Sequence, residues 1–180
     1  MSEEKVELKI RVTKKFMEQT KKAMEDVEEQ TELRFDGIGL NKDAPISSAT
    51  LTIIFNSHST TDTDLKMITY GIDEDDTHDF DSGESNPLSR TKTSASTTSQ
   101  FNDKNTRVDI DVKSIVEEIT TRSGWSSGNA IGFTMLNNGS PTDVWFDCYP
   151  STISTMYLII VGGESFDIYF KCIIFKDKIA

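Results

Sequence analysis

RVDIDVKSIVEEITTRSGWSSGNAIGF, residues 107–133, contains in one run the two periodicities that decide the architecture. Val108, Ile110 and Val112 alternate with Arg107, Asp109 and Asp111, the period-2 pattern of a half-buried strand. The spacing then changes, and Ile115, Val116 and Ile119 fall on one face of about two helical turns. Ser114 followed by Glu117 has the form of a capping box, in which hydroxyl and carboxylate each satisfy a free N–H at a helix start. Gly124 is placed to end the helix with a positive φ. After a turn at residues 126–129, residues 130–136 read as a strand that re-enters the core, with Trp125 packed beneath the helix. The expectation is a short helix closing one end of a β-structure.

Outward from this stretch, strand patterns repeat. Residues 33–38 form a short strand, and residues 46–55 a long one with Ala49, Leu51, Ile53 and Phe55 on one face. A polar loop at 56–64 leads to a strand at 65–72, and the Thr-rich run 92–98 suits a pleated surface. Asn137-Asn138-Gly139 is a strong turn signal. In the strand at 144–149, Val144, Phe146 and Cys148 oppose Trp145, Asp147 and Tyr149. Residues 156–161 are nearly all apolar, as in a central strand buried on both faces. Gly162-Gly163 turns the chain into one final alternating strand at 165–175, with Phe166, Ile168 and Phe170 on one face. Near the start, residues 5–13 alternate as a strand. Residues 14–30 carry Phe16, Met17, Thr20, Met24 and Val27 at helical spacing, predicting an amphipathic helix that either docks on a partner or covers an open end. About nine or ten strands with one short helix in their midst make an all-β, two-sheet sandwich.

The opening stretch resembles the DNRLRE-like family of jelly-roll β-sandwich modules. There a strand, a short helix with an I-V-x-E-I core and an R-x-G-W-x-S-G-N-A turn occur in this order. LRFDGIGL at 33–40, APISSATLTIIF at 44–55, YGIDEDD at 70–76 and LSRTKTSAS at 88–96 agree with it in sequence and order, so the resemblance spans Leu33 to Val161. It implies a jelly-roll β-sandwich at residues 33–180; residues 1–32, a strand and helix outside the resemblance, are expected to serve as a docking and assembly segment. Such modules look like carbohydrate-binding modules and occur in secreted bacterial proteins, surface proteins and phage structural proteins. The N-terminal helix departs from the family pattern.

At 180 residues, 36% hydrophobic and 27% charged, the chain has globular composition and can bury a core. Thirty acidic against nineteen basic residues give a net charge of −11, which disfavours nucleic acid, because displacing counterions from phosphates needs clustered Lys and Arg. Lys14, Lys15, Lys21 and Lys22, the one basic cluster, sit among glutamates. No run approaches the ~18 apolar residues of a membrane span, and MSEEKVELKIRV has no apolar segment of the signal-peptide kind. The expectation is synthesis in a host cytoplasm without a signal peptide. Cys148 and Cys172 lie in strand patterns and read as buried thiols; two Cys and two His make no zinc spacing.

Residues 73–84, DEDDTHDFDSGE, gather seven carboxylates in twelve residues. Mutual repulsion there calls for a cation or for solvent. The first reading is a Ca²⁺ site drawn from Asp73, Asp75, Asp76 and Asp79; the second is a solvated connection, since the EF-hand spacing is not met. No carboxylate pair stands out for glycoside hydrolysis, and His58 or His78 with a serine lacks the G-x-S-x-G elbow of a hydrolase. No catalytic residue is therefore assigned. Trp145 and Tyr149 share one side of their strand and, with Tyr70, could stack on a sugar ring; the alternative is core or subunit interface. Trp125 reads as core. Asn138-Gly139-Ser140 matches a glycosylation acceptor, a match without meaning in an unsecreted chain.

These expectations combine into a non-enzymatic structural protein of a phage particle, located in the virion. It would be a capsid decoration, neck or tail component that pairs with other virion subunits, as a homo-oligomer. The second expectation is a carbohydrate-binding module that attaches to cell-surface glycans.

Overall fold

The structure, a computed structural model, describes residues 30–54, 57–58, 65–78, 90–101, 107–140, 146–147, 156–162, 165–169 and 172–177. The strands are β1 (Gln30–Phe35), β2 (Ile46–Ile54), β3 (Ser57–His58), β4 (Leu65–Ile72), β5 (Lys92–Phe101), β6 (Arg107–Asp111), β7 (Ile131–Asn137), β8 (Phe146–Asp147), β9 (Met156–Gly162), β10 (Ser165–Tyr169) and β11 (Cys172–Asp177). One helix, α1 (Lys113–Thr120), follows β6. The strand expected at 5–13, the helix expected from residue 14, and Asp79, Trp145, Cys148 and Tyr149 lie outside the described residues. Gln30, the last residue of the expected helix, opens β1 instead.

Alternation along the strands builds two antiparallel sheets that share a core. The first has the order β11-β1-β7-β4-β5 and the second β10-β9-β2-β6, with β3 and β8 as a small separate pair. Leu33, Phe35, Phe133 and Met135 of the first sheet meet Ala49, Leu51, Ile53, Ile110, Leu158 and Ile160 of the second in one buried cluster. Phe35 and Phe133 pack edge to face at a centroid distance of 6.0 Å. The chain crosses repeatedly between the sheets, from β1 to β2 and from β5 to β6 to β7, and among the described strands only β4–β5 and β9–β10 are sequential neighbours within a sheet. The described residues thus form an all-β sandwich with one short helix, compatible with a jelly roll.

The helix closes the core as expected. Ile115, Val116 and Ile119 are fully buried, each removal from water stabilising by about 1.5–3 kcal/mol. Room for them comes from Gly71 in β4, where a Cβ would lie 2.7 Å from Ile115 Cγ2 and 2.8 Å from Ile119 Cδ1. Trp125 is buried and its Nε1 donates to Leu40 O at 3.0 Å, so it is a core residue with its one polar atom satisfied.

Several details correct the sequence reading. The helix begins at Lys113, not after Ser114, and no side chain caps it through the expected box; the Asp111 carboxylate accepts the Lys113 N–H at 3.0 Å instead. Gly124 has no positive φ; it is small because a Cβ there would collide with the Asp75 carboxylate. β9 is central, but Met156, Leu158 and Ile160 are buried while Tyr157, Ile159 and Val161 are half-buried, so its two faces differ. Gly162 is the last residue of β9, paired with Ile46 and Ser165, and the chain reverses into β10 directly after it. The expected single strand at 165–175 is two strands in different sheets: β10 pairs with β9, and β11 pairs with β1. The polar loop at 56–64 contains β3, and the strand at 144–149 is represented by β8.

Candidate functional site

The acidic loop after β4 is held by arginines from three distant parts of the chain. Arg122, just past α1, donates from Nε to Asp75 Oδ1 at 2.8 Å and from its terminal nitrogen to Asp73 Oδ1. The hydrogen bond to Asp75 raises the Arg122 pKa, burial opposes it, and Asp73 adds to it. Arg34 in β1 donates from Nε to Thr77 O at 2.6 Å, and its guanidinium pairs with Asp36. Arg90, buried, donates to His78 O at 3.3 Å and lies 3.5 Å from Glu74 Oε2.

Three more side chains of the loop region make hydrogen bonds, while the buried Thr77 hydroxyl has no partner among the described residues. Asp76 Oδ1 accepts the Ala130 N–H at 2.7 Å, and Asn129 Nδ2 donates to Asp75 O at 2.9 Å. Glu74 Oε2 accepts the His78 N–H at 3.1 Å, beside the exposed His78 ring. Beneath the loop, Gly132 leaves space for Thr77 and Ile72, whose carbons would be 2.6 and 2.7 Å from a Cβ at that position. Among the described carboxylates of the loop, Asp73, Glu74, Asp75 and Asp76, the repulsion is countered by guanidinium charge and by backbone N–H groups. Among the described residues, no three His, Cys, Asp or Glu side chains form a group able to hold a metal ion.

Of the three aromatic candidates the structure places Tyr70. It lies in β4 opposite Ser96 of β5 and Thr134 of β7, on the sheet face directed away from the core, and is half-buried. Its row runs from exposed Ser96, through Tyr70, to buried Thr134 and Glu32. Trp145 and Tyr149 lie outside the described residues, so the structure brings no partner from that strand to Tyr70. His58 sits in β3 opposite Phe146, and no Ser–His–Asp arrangement is formed by His78, whose ring faces Glu74.

The outward face of the second sheet carries a separate constellation. Thr52, fully buried, donates to Asp109 Oδ1 at 2.6 Å, and Arg107 Nε donates to the same oxygen at 3.0 Å. The Arg107 guanidinium lies 5.9 Å from the Tyr157 ring centre, within cation–π range. Burial raises the Asp109 pKa, but the Thr52 hydroxyl and Arg107 together bring it below its ordinary value. Ile54, Tyr157, Ile159 and Val161 on this face are half-buried.

Sequence reading found the acidic loop but missed what holds it. Arg122 stands 47 and 49 positions from its two carboxylates, and Arg34 stands 43 from Thr77, so no local spacing announces either contact. Glu118 was likewise invisible. It accepts the Ser94 and Ala95 N–H groups at 2.8 and 2.7 Å, where the β4–β5 register shifts. The chain matches no protein-family model and no curated protein sequence.

Proposed function

We propose that this chain is a non-enzymatic structural protein of a phage particle, a capsid decoration, neck or tail component built on a jelly-roll module. It assembles with other virion subunits and with copies of itself. The observation that carries this reading is how the described charged groups are spent. Arg34, Arg90 and Arg122 fasten one loop, and Glu118 fastens one strand. Meanwhile the outward face of the second sheet presents Ile54, Tyr157, Ile159 and Val161 in adjacent strands. Such a surface suits a lasting subunit contact better than turnover of a substrate. The likeness of the 107–133 stretch to modules found in phage structural proteins supports the same reading.

Light scattering on the purified protein tests it. A stable species at a whole multiple of 20.2 kDa is expected, and Ile159→Asp should dissociate it. A monomer at every concentration, with no uptake by assembled particles, would overturn the proposal.

A second reading, a carbohydrate-binding module for cell-surface glycans, is favoured by Tyr70 beside exposed Ser96, a ring and hydroxyl on one sheet face. Binding to a polysaccharide panel that is lost in Tyr70→Ala, Trp145→Ala or Tyr149→Ala would establish it. A panel with no binder removes it.

A further inference from the structure

The turn after β7 places the chain's one Asn-Gly pair at the surface, and the structure gives its chemistry. Asn138, Gly139 and Asn137 are exposed, and Gly139 has φ 80. The turn is tied at its ends: Asn138 N–H donates to Lys66 O at 2.8 Å, and Ser140 N–H to Asn137 Oδ1 at 2.8 Å. Ser140 Oγ also accepts the Lys66 N–H at 2.8 Å and donates to Lys66 O at 3.0 Å. Between these ties, the Asn138 carboxamide and the Gly139 N–H have no hydrogen-bond partner among the described residues. A Cβ at Gly139 would meet nothing within 4 Å, so open space adjoins the turn at this residue.

We propose that Asn138-Gly139 is a site of spontaneous covalent modification, deamidation through a cyclic imide. The Gly139 backbone nitrogen, losing its proton to hydroxide, attacks Asn138 Cγ. The new N–Cγ bond closes a five-membered succinimide, and the Cγ–Nδ2 bond breaks with release of ammonia. Water then opens the ring at either carbonyl, leaving aspartate or isoaspartate. The sum consumes one water, releases one ammonia and adds one negative charge to a chain already at −11. The isoaspartate product carries an extra backbone carbon at the point where the turn is tied to Lys66.

Asp36-Gly37 provides the internal comparison. It has the same following glycine, at φ 67, and the same ring could form there. The Asp36 carboxylate, however, is paired with Arg34, and an ionised carboxylate held by a guanidinium is a poor electrophile. Reaction is therefore expected at Asn138 and not at Asp36.

The test is incubation of the purified protein in mildly alkaline buffer at physiological temperature. Charge-based separation, peptide mapping and labelling by an isoaspartyl methyltransferase are followed with time. A more acidic species should accumulate, with label confined to the peptide containing residue 138. Asn138→Gln, whose longer side chain would need a six-membered ring, should abolish both. Gly139→Ala, whose Cβ crowds the attacking nitrogen, should slow both severalfold. Folded protein that gains no acidic species, or gains it unchanged in Asn138→Gln, overturns the proposal. Label at Asp36 exceeding that at Asn138 overturns the comparison on which it rests.

Discussion

Where β5 slips register against β4, the Ser94 and Ala95 N–H groups have no strand to donate to, and both carboxylate oxygens of Glu118 receive them. Thr93 closes the other side of the irregularity, its hydroxyl accepting the Gly71 N–H at 2.8 Å and donating to Ala95 O at 2.8 Å. A charged acceptor serving two backbone donors is among the stronger contacts available to a half-buried side chain, and losing it leaves two N–H groups unserved. Glu118→Ala should therefore lower stability by about 2 kcal/mol. Glu118→Gln, which keeps one acceptor oxygen, should fall between. Urea denaturation at unchanged m reads both. An alanine variant with the parental midpoint would mean that water serves these donors equally well.

Across elements, the outward face of the second sheet ties β2, β6 and β9 through Thr52, Asp109, Arg107 and Tyr157. Burial acts to raise the Asp109 pKa, yet the Thr52 and Arg107 contacts prevail and lower it from 3.8. A carboxylate whose folded pKa lies below its unfolded one stabilises the fold above the unfolded value and loses that effect as pH falls through the folded value. In urea titrations across pH, Asp109→Asn should thus be less stable than the parent at neutral pH, and the gap should close in acid. A gap of constant size would mean that the aspartate acts through shape rather than charge. At this scale the sequence was informative wherever alternation was uninterrupted. β4 runs over Leu65–Ile72, as its pattern predicts, and β7 begins one residue after the expected start. The failure at residues 165–175 has a physical cause. Alternation specifies faces, not partners, so a chain that leaves one sheet and enters the other without Gly or Pro between keeps its period and hides the crossing. The missing capping box is similar. Ser114 and Glu117 have the spacing, but the helix starts at Lys113 with Val112 at its N-cap, so Ser114 lies inside the first turn, and the Lys113 N–H is served by Asp111.

For the whole molecule the governing quantity is charge, and the acidic loop shows how the fold distributes it. Residue counts could reveal the excess of thirty acids over nineteen bases, but only the tertiary structure reveals that Arg122 stands against Asp73 and Asp75. A net charge of −11 opposes compaction, and any salt should relieve this by screening, so the thermal midpoint is expected to rise with sodium chloride. A specific calcium site would add stabilisation that grows with free calcium beyond this general effect. With Arg122 already paired to Asp73 and Asp75, calcium and sodium at matched ionic strength should give the same midpoint, and a chelator should change nothing. Arg122→Ala reverses the expectation. Asp73 and Asp75 then face each other without a guanidinium, and a divalent cation becomes the cheapest way to hold them, so calcium should outperform sodium in that variant alone. Thermal unfolding of both proteins in the two salts separates the cases. A calcium excess already present in the parent would show that the cation, rather than the arginine, completes the charge balance of this fold.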